Sequence, residues 1–311
     1  MARAIVYTAF GGPEVLQLVD VPGPTPGEGE LAVRVEAAGV NPIDWKLRSG
    51  LRPSAAITEP RRVGSDASGV VTAVGAGVDG FASGDPVVLI GVAGAYATDV
   101  VVPATHAWIR PTQVSAADGA ALGVPVGTAY QTARSLRVGP GDTLLVHGGS
   151  GAVGQAIIQY AVLWGATVLA TASPARFDRV EALGAIPIAY GPGLADRVRA
   201  IADVTAAIDA AGTDEALQTS VELVADKARI ATLVRGRDAA GYGIRAFSGG
   251  SPEPLTPQQS AWRTEAIPVT LALLATDSFS IEPGPVFPLA DAAQAHSVGQ
   301  AGARGKIVLL P

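Results

Sequence analysis

Cysteine is absent from the 311-residue sequence. Its absence excludes disulfide bonds, thiolate nucleophiles and cysteine-ligated zinc. Histidine is scarce: His106, His147 and His296 are the only three, which argues against a histidine-rich metal site. Positive charge is also in deficit. Lys and Arg total 22 against 28 Asp and Glu, a formal net charge of −6. A protein that grips a nucleic-acid backbone needs a clustered basic surface instead. Long apolar runs are missing too. The opening Met1 to Tyr7 has no signal-peptide core, and the stretch Val87 to Val102 is broken by glycines and carries Asp99, so it does not read as a membrane span. The expectation is a soluble cytoplasmic protein. Its length suggests two domains and is ample for a sizeable core.

What is present falls into two textures. Up to about residue 110, short β-type runs alternate with Gly/Pro turns: 4–7, 31–37, 70–74, 86–89 and 98–102. From about 115, strands alternate with helices. Strands are expected at 143–146, 167–171, 186–189, 206–209 and 229–233. The helices between them are expected at 153–164, 174–183, near 195–202 and at 214–224. Gly184 is placed to end the second of these helices as a C′ residue. Such alternation implies a parallel sheet covered on both faces. After Ser251 come a helix from 257 to about 276, a Pro-rich extended stretch and a last strand at 306–310. The expected fold is therefore α/β in two domains, a β-rich one from 1–114 and 251–311 and a doubly wound one from 115–250.

Gly149-Ser150-Gly151-Ala152-Val153-Gly154 matches G-x-G-x-x-G. With 38 glycines in the chain the pattern alone is weak, and it also reads as a plain Gly-rich turn. Its setting between an apolar strand and a helix is what a dinucleotide-binding loop requires. The glycines permit a tight turn and close approach of a pyrophosphate, which the helix N-terminus stabilises. A ribose-binding carboxylate is expected about 20 residues on. The stretch 169–176 has none and offers Ser173 and Arg176 instead, a hydroxyl and a cation that favour NADP over NAD. Ser173 before Pro174 also reads as an N-cap, and Arg176 as a solvated helix residue.

These motifs join others in order along the chain: Asn41-Pro-Ile-Asp44 with Arg48-Ser-Gly50, Gly64-Ser65-Asp66, Gly94-Ala-Tyr96-Ala, Thr128-Ala-Tyr130, Asp209-Ala-Ala-Gly212 and Arg304-Gly-Lys306-Ile-Val-Leu309. Together they resemble the zinc-independent, zeta-crystallin-like quinone oxidoreductases of the medium-chain dehydrogenase/reductase superfamily. The resemblance implies a GroES-like β-rich catalytic domain, a Rossmann domain and an active site in the cleft between them. It also implies NADPH as cofactor, a quinone or activated enone as hydride acceptor, and a homodimer. By position, Asn41 and Thr128 would lie near nicotinamide and substrate, and Arg176 and Tyr190 would hold the 2′-phosphate. The sequence around Tyr190, Ala-Tyr-Gly-Pro-Gly, departs from the family's usual run there. Arg304 is counted with the cofactor-binding residues. Zinc-using relatives place Cys where this chain has Asn41, and Gly-His-Glu where it has Gly64-Ser65-Asp66, so no metal is expected.

A metal-free site suits acceptors that already delocalise negative charge, with the protein supplying position, dryness and a few donors. The candidate donors to a carbonyl oxygen are the Asn41 amide, the Tyr96 hydroxyl and Lys46, and solvent could supply the proton. Each residue also has a structural reading. Asn41-Pro42 forms a turn, Asp44 caps the helical turn after it, and Tyr96 packs in a strand core. Trp45 reads either as core or as cleft lining. Phe247-Ser-Gly-Gly250 reads either as a loop or as a border of the nicotinamide. His147 reads as structural, His106 and His296 as solvated. Two other functions remain open: a reductase of a specific α,β-unsaturated carbonyl or acyl thioester, and a non-catalytic NADPH-binding protein.

Overall fold

Runs of Val, Ile and Leu separated by glycine turns build the first part of the chain. The computed structural model describes residues 1–52, 54–247, 251 and 253–311. Strands β1 (Ala2–Tyr7), β2 (Gln17–Val21), β3 (Glu30–Gly39) and β4 (Arg61–Arg62) are interrupted by helix α1 (Pro42–Arg48). Strands β5 (Asp66–Val74), β6 (Pro86–Ile90), β7 (Asp99–Pro103) and β8 (Ala107–Ile109) follow, then helix α2 (Ala116–Ala120).

Helix α3 (Gly123–Ser135) opens the α/β region. Its strands are β9 (Thr143–His147), β10 (Thr167–Ala172), β11 (Ile186–Ala189), β12 (Ala206–Asp209), β13 (Ile230–Thr232) and β14 (Arg245–Ala246). Between them run α4 (Ala152–Leu163), α5 (Phe177–Ala182), α6 (Leu194–Arg199), α7 (Asp214–Leu223) and α8 (Ala239–Tyr242). The chain ends with α9 (Pro257–Ala275), β15 (Pro283–Pro288), α10 (Ala292–Gln300) and β16 (Lys306–Leu310).

The chain forms two compact units, Met1–Val124 with Ile267–Pro311, and Pro125–Ala266. In the first, β15, β16, β3, β5, β6 and β8 lie side by side with β7 also paired to β3, and β2-β1-β4 form a small second sheet. Its core gathers Tyr96 with Leu31, Val33, Val87, Leu89 and Leu309, the aliphatic ones each worth roughly 1.5–3 kcal/mol when fully buried. In the second unit the sheet order is β11-β10-β9-β12-β13-β14 and every pairing is parallel. This is the doubly wound arrangement, and its strand order reverses between β9 and β12, where such sheets bind ligands.

The sequence puts the divisions at 114/115 and 250/251, whereas the units divide at 124/125, inside α3, and at 266/267, inside α9. The reason at the first division is packing. Helix α2 lies so close on the first unit's sheet that a Cβ on Gly119 would meet Ser68 Oγ and Val88 Cγ2 at 2.9 Å each. Helix α10 stands where only extended chain is expected. Its sequence, Ala-Ala-Gln-Ala-His-Ser-Val-Gly-Gln, carries too few large apolar residues to announce a helical face.

Candidate active site

In the second unit β9 runs into the turn at Gly148–Gly151 and then into α4. Gly148 adopts φ +77. Its N–H donates to Thr171 Oγ1 at 3.1 Å, and the Gly149 N–H donates to the Thr171 carbonyl at 2.9 Å, so the loop is pinned to β10. The three motif glycines differ in what they make possible. A Cβ on Gly154 would meet the Gly148 carbonyl oxygen at 2.2 Å, and one on Gly149 would meet Ala170 Cβ at 2.7 Å. Those two let helix and strand approach. A Cβ on Gly151 would meet only the Gly148 oxygen, at 3.5 Å, so this position faces open space. Gly151 is the N-cap of α4 and has no side chain to cap the first-turn N–H groups. An exposed, uncapped helix start beside open space is a fitting cradle for a pyrophosphate.

Because the strands are parallel, the residues that follow them share one sheet edge. Ser173 and Arg176 follow β10 and are half-buried in a 3-10 turn. Tyr190 follows β11 with 61% of its surface exposed. Phe247 follows β14, donates its N–H to Thr232 O at 3.0 Å, and is buried under the Arg245 guanidinium at 4.8 Å. The structure thus gathers Gly149–Gly154, Ser173, Arg176, Tyr190 and Phe247 at the same edge. Ser248 to Gly250 lie outside the described residues. Thr128 is buried in α3, and its hydroxyl accepts from Arg263 of α9.

The first unit holds a buried polar network. Asn41 is the N-cap of α1; its backbone N–H donates to Asp44 Oδ2 at 2.8 Å, as the capping reading of Asp44 expects. The Asn41 amide Nδ2 donates to Asp66 Oδ2 at 2.7 Å, and Lys306 Nζ donates to Asn41 Oδ1. Lysine can only donate, so Lys306 fixes the amide with its oxygen toward Nζ and its N–H toward Asp66. Asp66 also accepts from Val124 N–H at 3.0 Å. Gly123 makes room for it, since a Cβ there would meet Asp66 Oδ1 at 2.1 Å.

Tyr96 lies in the loop between β6 and β7 rather than in a strand, but it is fully buried in the core and donates its hydroxyl to Asp44 at 2.9 Å, so it belongs to this network. Burial pushes the Asp44 carboxyl from 3.8 up to about 7, against the pull of the Asn41 N–H and the Tyr96 hydroxyl. Burial first, then the Asp44 charge, raises the Tyr96 hydroxyl well above its usual range. Burial lowers Lys306, with Asp66 and Asp44 opposing.

His296 is not solvated as expected. It is fully buried, with Nε2 3.2 Å from the Tyr96 hydroxyl, because the unforeseen helix α10 carries it inward. Burial first, then the Arg48 charge, pushes its pKa down to about 3. Trp45 meets its ring edge-on at 6.0 Å and is half-buried, as is Lys46. His106 is half-buried rather than solvated, with Nδ1 3.0 Å from the Ile90 carbonyl oxygen. His147 is buried against Ser220 Oγ at 3.0 Å, the structural role read for it. Arg304 precedes β16 and is exposed.

The residues overlooked as site candidates are Lys306, Asp66 and Arg263. Lys306 had a signal: it is one of only three lysines and opens an apolar strand, Lys-Ile-Val-Leu-Leu, where a buried cation needs a partner.

Zinc fits this donor set poorly. Asn41 and Asp66 are already engaged, and the Lys306 ammonium stands where a second cation would be repelled. Among the described residues no group of three or more His, Asp or Glu is arranged to hold a metal ion. No described helix is long and apolar enough to cross a membrane.

The alcohol dehydrogenase GroES-like domain family matches residues 27–112, and the zinc-binding dehydrogenase family matches residues 152–240. The chain is 32% identical over 331 residues to the quinone oxidoreductase of Rattus norvegicus, covering 100% of this chain and 98% of that one. In structure it is similar to the Escherichia coli quinone oxidoreductase solved with NADPH, with a TM-score of 0.84, 26% identity and full coverage of both chains. It is also similar to a cobalt- and zinc-bound alcohol dehydrogenase from Pyrobaculum aerophilum, with a TM-score of 0.80, 25% identity and coverage of 100% and 99%. With likeness running the full length of both domains, the chain is an oxidoreductase belonging to the quinone oxidoreductase family of the medium-chain dehydrogenase/reductase superfamily.

Proposed function

We propose that the protein is an NADPH-dependent reductase that transfers a hydride to a quinone or activated enone without zinc. The observation that carries the reading is the pinned glycine loop, open at Gly151, with Ser173 and Arg176 on the same sheet edge and no carboxylate in 169–176. A carboxylate there would select a ribose 2′-hydroxyl and repel a 2′-phosphate. The first unit takes the catalytic role and the second the cofactor role.

Bound NADPH supplies the hydride. The Gly149–Gly154 backbone and the start of α4 hold the pyrophosphate, and Ser173, Arg176 and Tyr190 hold the 2′-phosphate. Thr128 and Phe247 would border the nicotinamide, and Arg304 is counted with the cofactor-binding residues by the resemblance alone. Asn41 is oriented by Lys306 and Asp66, which use one amide N–H and the carbonyl oxygen. Its second N–H has no partner among the described residues, so it can donate to the acceptor's carbonyl oxygen as charge develops there. Trp45 and Lys46 shape the substrate side. The final proton comes from solvent, because Tyr96 is committed to Asp44. The reading carries with it a cytoplasmic homodimer, whose assembly sedimentation of the purified chain tests.

The test is NADPH oxidation with quinones, enones and acyl thioesters side by side. Turnover of quinones or simple enones supports the proposal. Turnover of acyl thioesters alone would replace it with the narrower reductase, and tight NADPH binding with no turnover would make the protein a cofactor-binding protein.

A further inference from the structure

The opposite edge of the parallel sheet, where the strands begin, carries a second concentration of charge. Arg229 immediately precedes β13, Arg245 opens β14, and α3 ends nearby with Arg134 in its last turn and Arg137 just beyond. A cavity of about 750 Å³ opens among them, lined also by Trp262 and Asp226. Asp226 is the only carboxylate among the described lining residues, and its Oδ1 is engaged by the Ala228 N–H at 3.0 Å. Arg229 is paired with Asp142 at 2.9 Å. Arg134, Arg137 and Arg245 have no carboxylate partner among the described residues.

Two of these cations are held in place. The Arg134 guanidinium lies 5.9 Å from each of the Tyr130, Trp164 and Trp262 rings. Arg245 donates from Nη1 to the Ser135 carbonyl at 2.6 Å and stacks on Phe247. Arg137 is placed at a conformational cost. It closes α3 with φ +56, its N–H bonding Arg134 O while Val138 N–H bonds Ala133 O, a left-handed position that glycine takes freely. Burial first, then the Arg137 charge, lowers the Arg245 pKa. Like charges gathered in a concave site are stabilised when an anion enters.

We propose that this cavity binds a small polyphosphate, a ligand with at least two phosphoryl groups, at a site separate from the Gly149–Gly154 loop. Guanidinium forks match phosphoryl oxygens in pairs, and the volume exceeds what a single phosphate fills. With Arg229 paired to Asp142, three lining arginines face the single carboxylate Asp226, and that surplus of positive charge calls for more than one negative charge.

The experiment is calorimetric titration of the NADPH-saturated full chain with inorganic pyrophosphate at low ionic strength. The variants are Arg137→Gly, which suits the left-handed backbone, Arg245→Met, and Gly151→Ala in the cofactor loop. The expected result is one pyrophosphate per chain, weakened roughly tenfold or more by Arg137→Gly and Arg245→Met and retained in Gly151→Ala. NADPH affinity stays unchanged in Arg137→Gly. Three results would overturn the proposal. One is no pyrophosphate binding in the wild-type chain. Another is binding that Gly151→Ala abolishes and Arg137→Gly does not, which puts the anion in the cofactor loop. The third is a change of oligomeric state in Arg137→Gly with no pyrophosphate binding, which makes the arginines a contact between copies of the chain.

Discussion

Asp44 is a buried acid whose pKa rises to about 7 in the folded protein, while in the unfolded chain it titrates near 4. Between those values the folded state keeps a proton that the unfolded chain has released. The stability Asp44 contributes is therefore full below about pH 4 and is lost as pH rises through about 7. Asp44→Asn cannot ionise, so relative to wild type it should gain roughly 2–3 kcal/mol between about pH 5 and pH 8, read by denaturant unfolding. His147 and His296, held at about 4 and about 3, give the opposite slope in both proteins and cancel in the difference. Parallel pH profiles would contradict the burial account. At the cofactor, Arg176→Ala should weaken NADPH by about tenfold or more and leave NADH almost unchanged, measured as dissociation constants, since only NADPH carries the 2′-phosphate. At this scale legibility was uneven. Asn41 and the capping role of Asp44 stood in a motif. The partners that orient the Asn41 amide come from 25 and 265 positions away, and no local pattern carries that information.

Elements were legible wherever a period or a breaker marked them. The strands at 186–189, 206–209 and 306–310 fall where expected, because apolar runs between glycine or proline breaks leave few alternatives. Helices α3 and α10 were not foreseen. The first begins Gly-Val-Pro-Val-Gly, a sequence of turn residues that tertiary packing overrides. The second hid the burial of His296. The βα unit at β9 and α4 makes a sharper claim, since its glycines do different work. Gly154→Ala should destabilise the fold by about 2 kcal/mol or more, because the added methyl meets backbone that cannot move aside. Gly151→Ala should stay within about 1 kcal/mol of wild type in thermal unfolding yet weaken NADPH. Equal effects on folding and binding at both positions would refute the division of labour.

For the whole molecule, two units differ in architecture: one holds a buried Lys306–Asn41–Asp66 hydrogen-bond network, and the other a parallel sheet with the glycine loop that the proposed function assigns to the cofactor. By the resemblance, the place of a zinc ligand is taken by Asn41, and Lys306 donates to its amide oxygen. In the proposed reading an anionic cofactor must bind through local groups against a net charge of −6. The most direct test is a single-turnover measurement of NADPH oxidation by a quinone, using protein treated with a metal chelator and assayed for residual metal. The account predicts full NADPH oxidation at a rate the chelator does not change. Loss of oxidation on chelation and its recovery with zinc, or no oxidation by any quinone or enone despite bound NADPH, would contradict it.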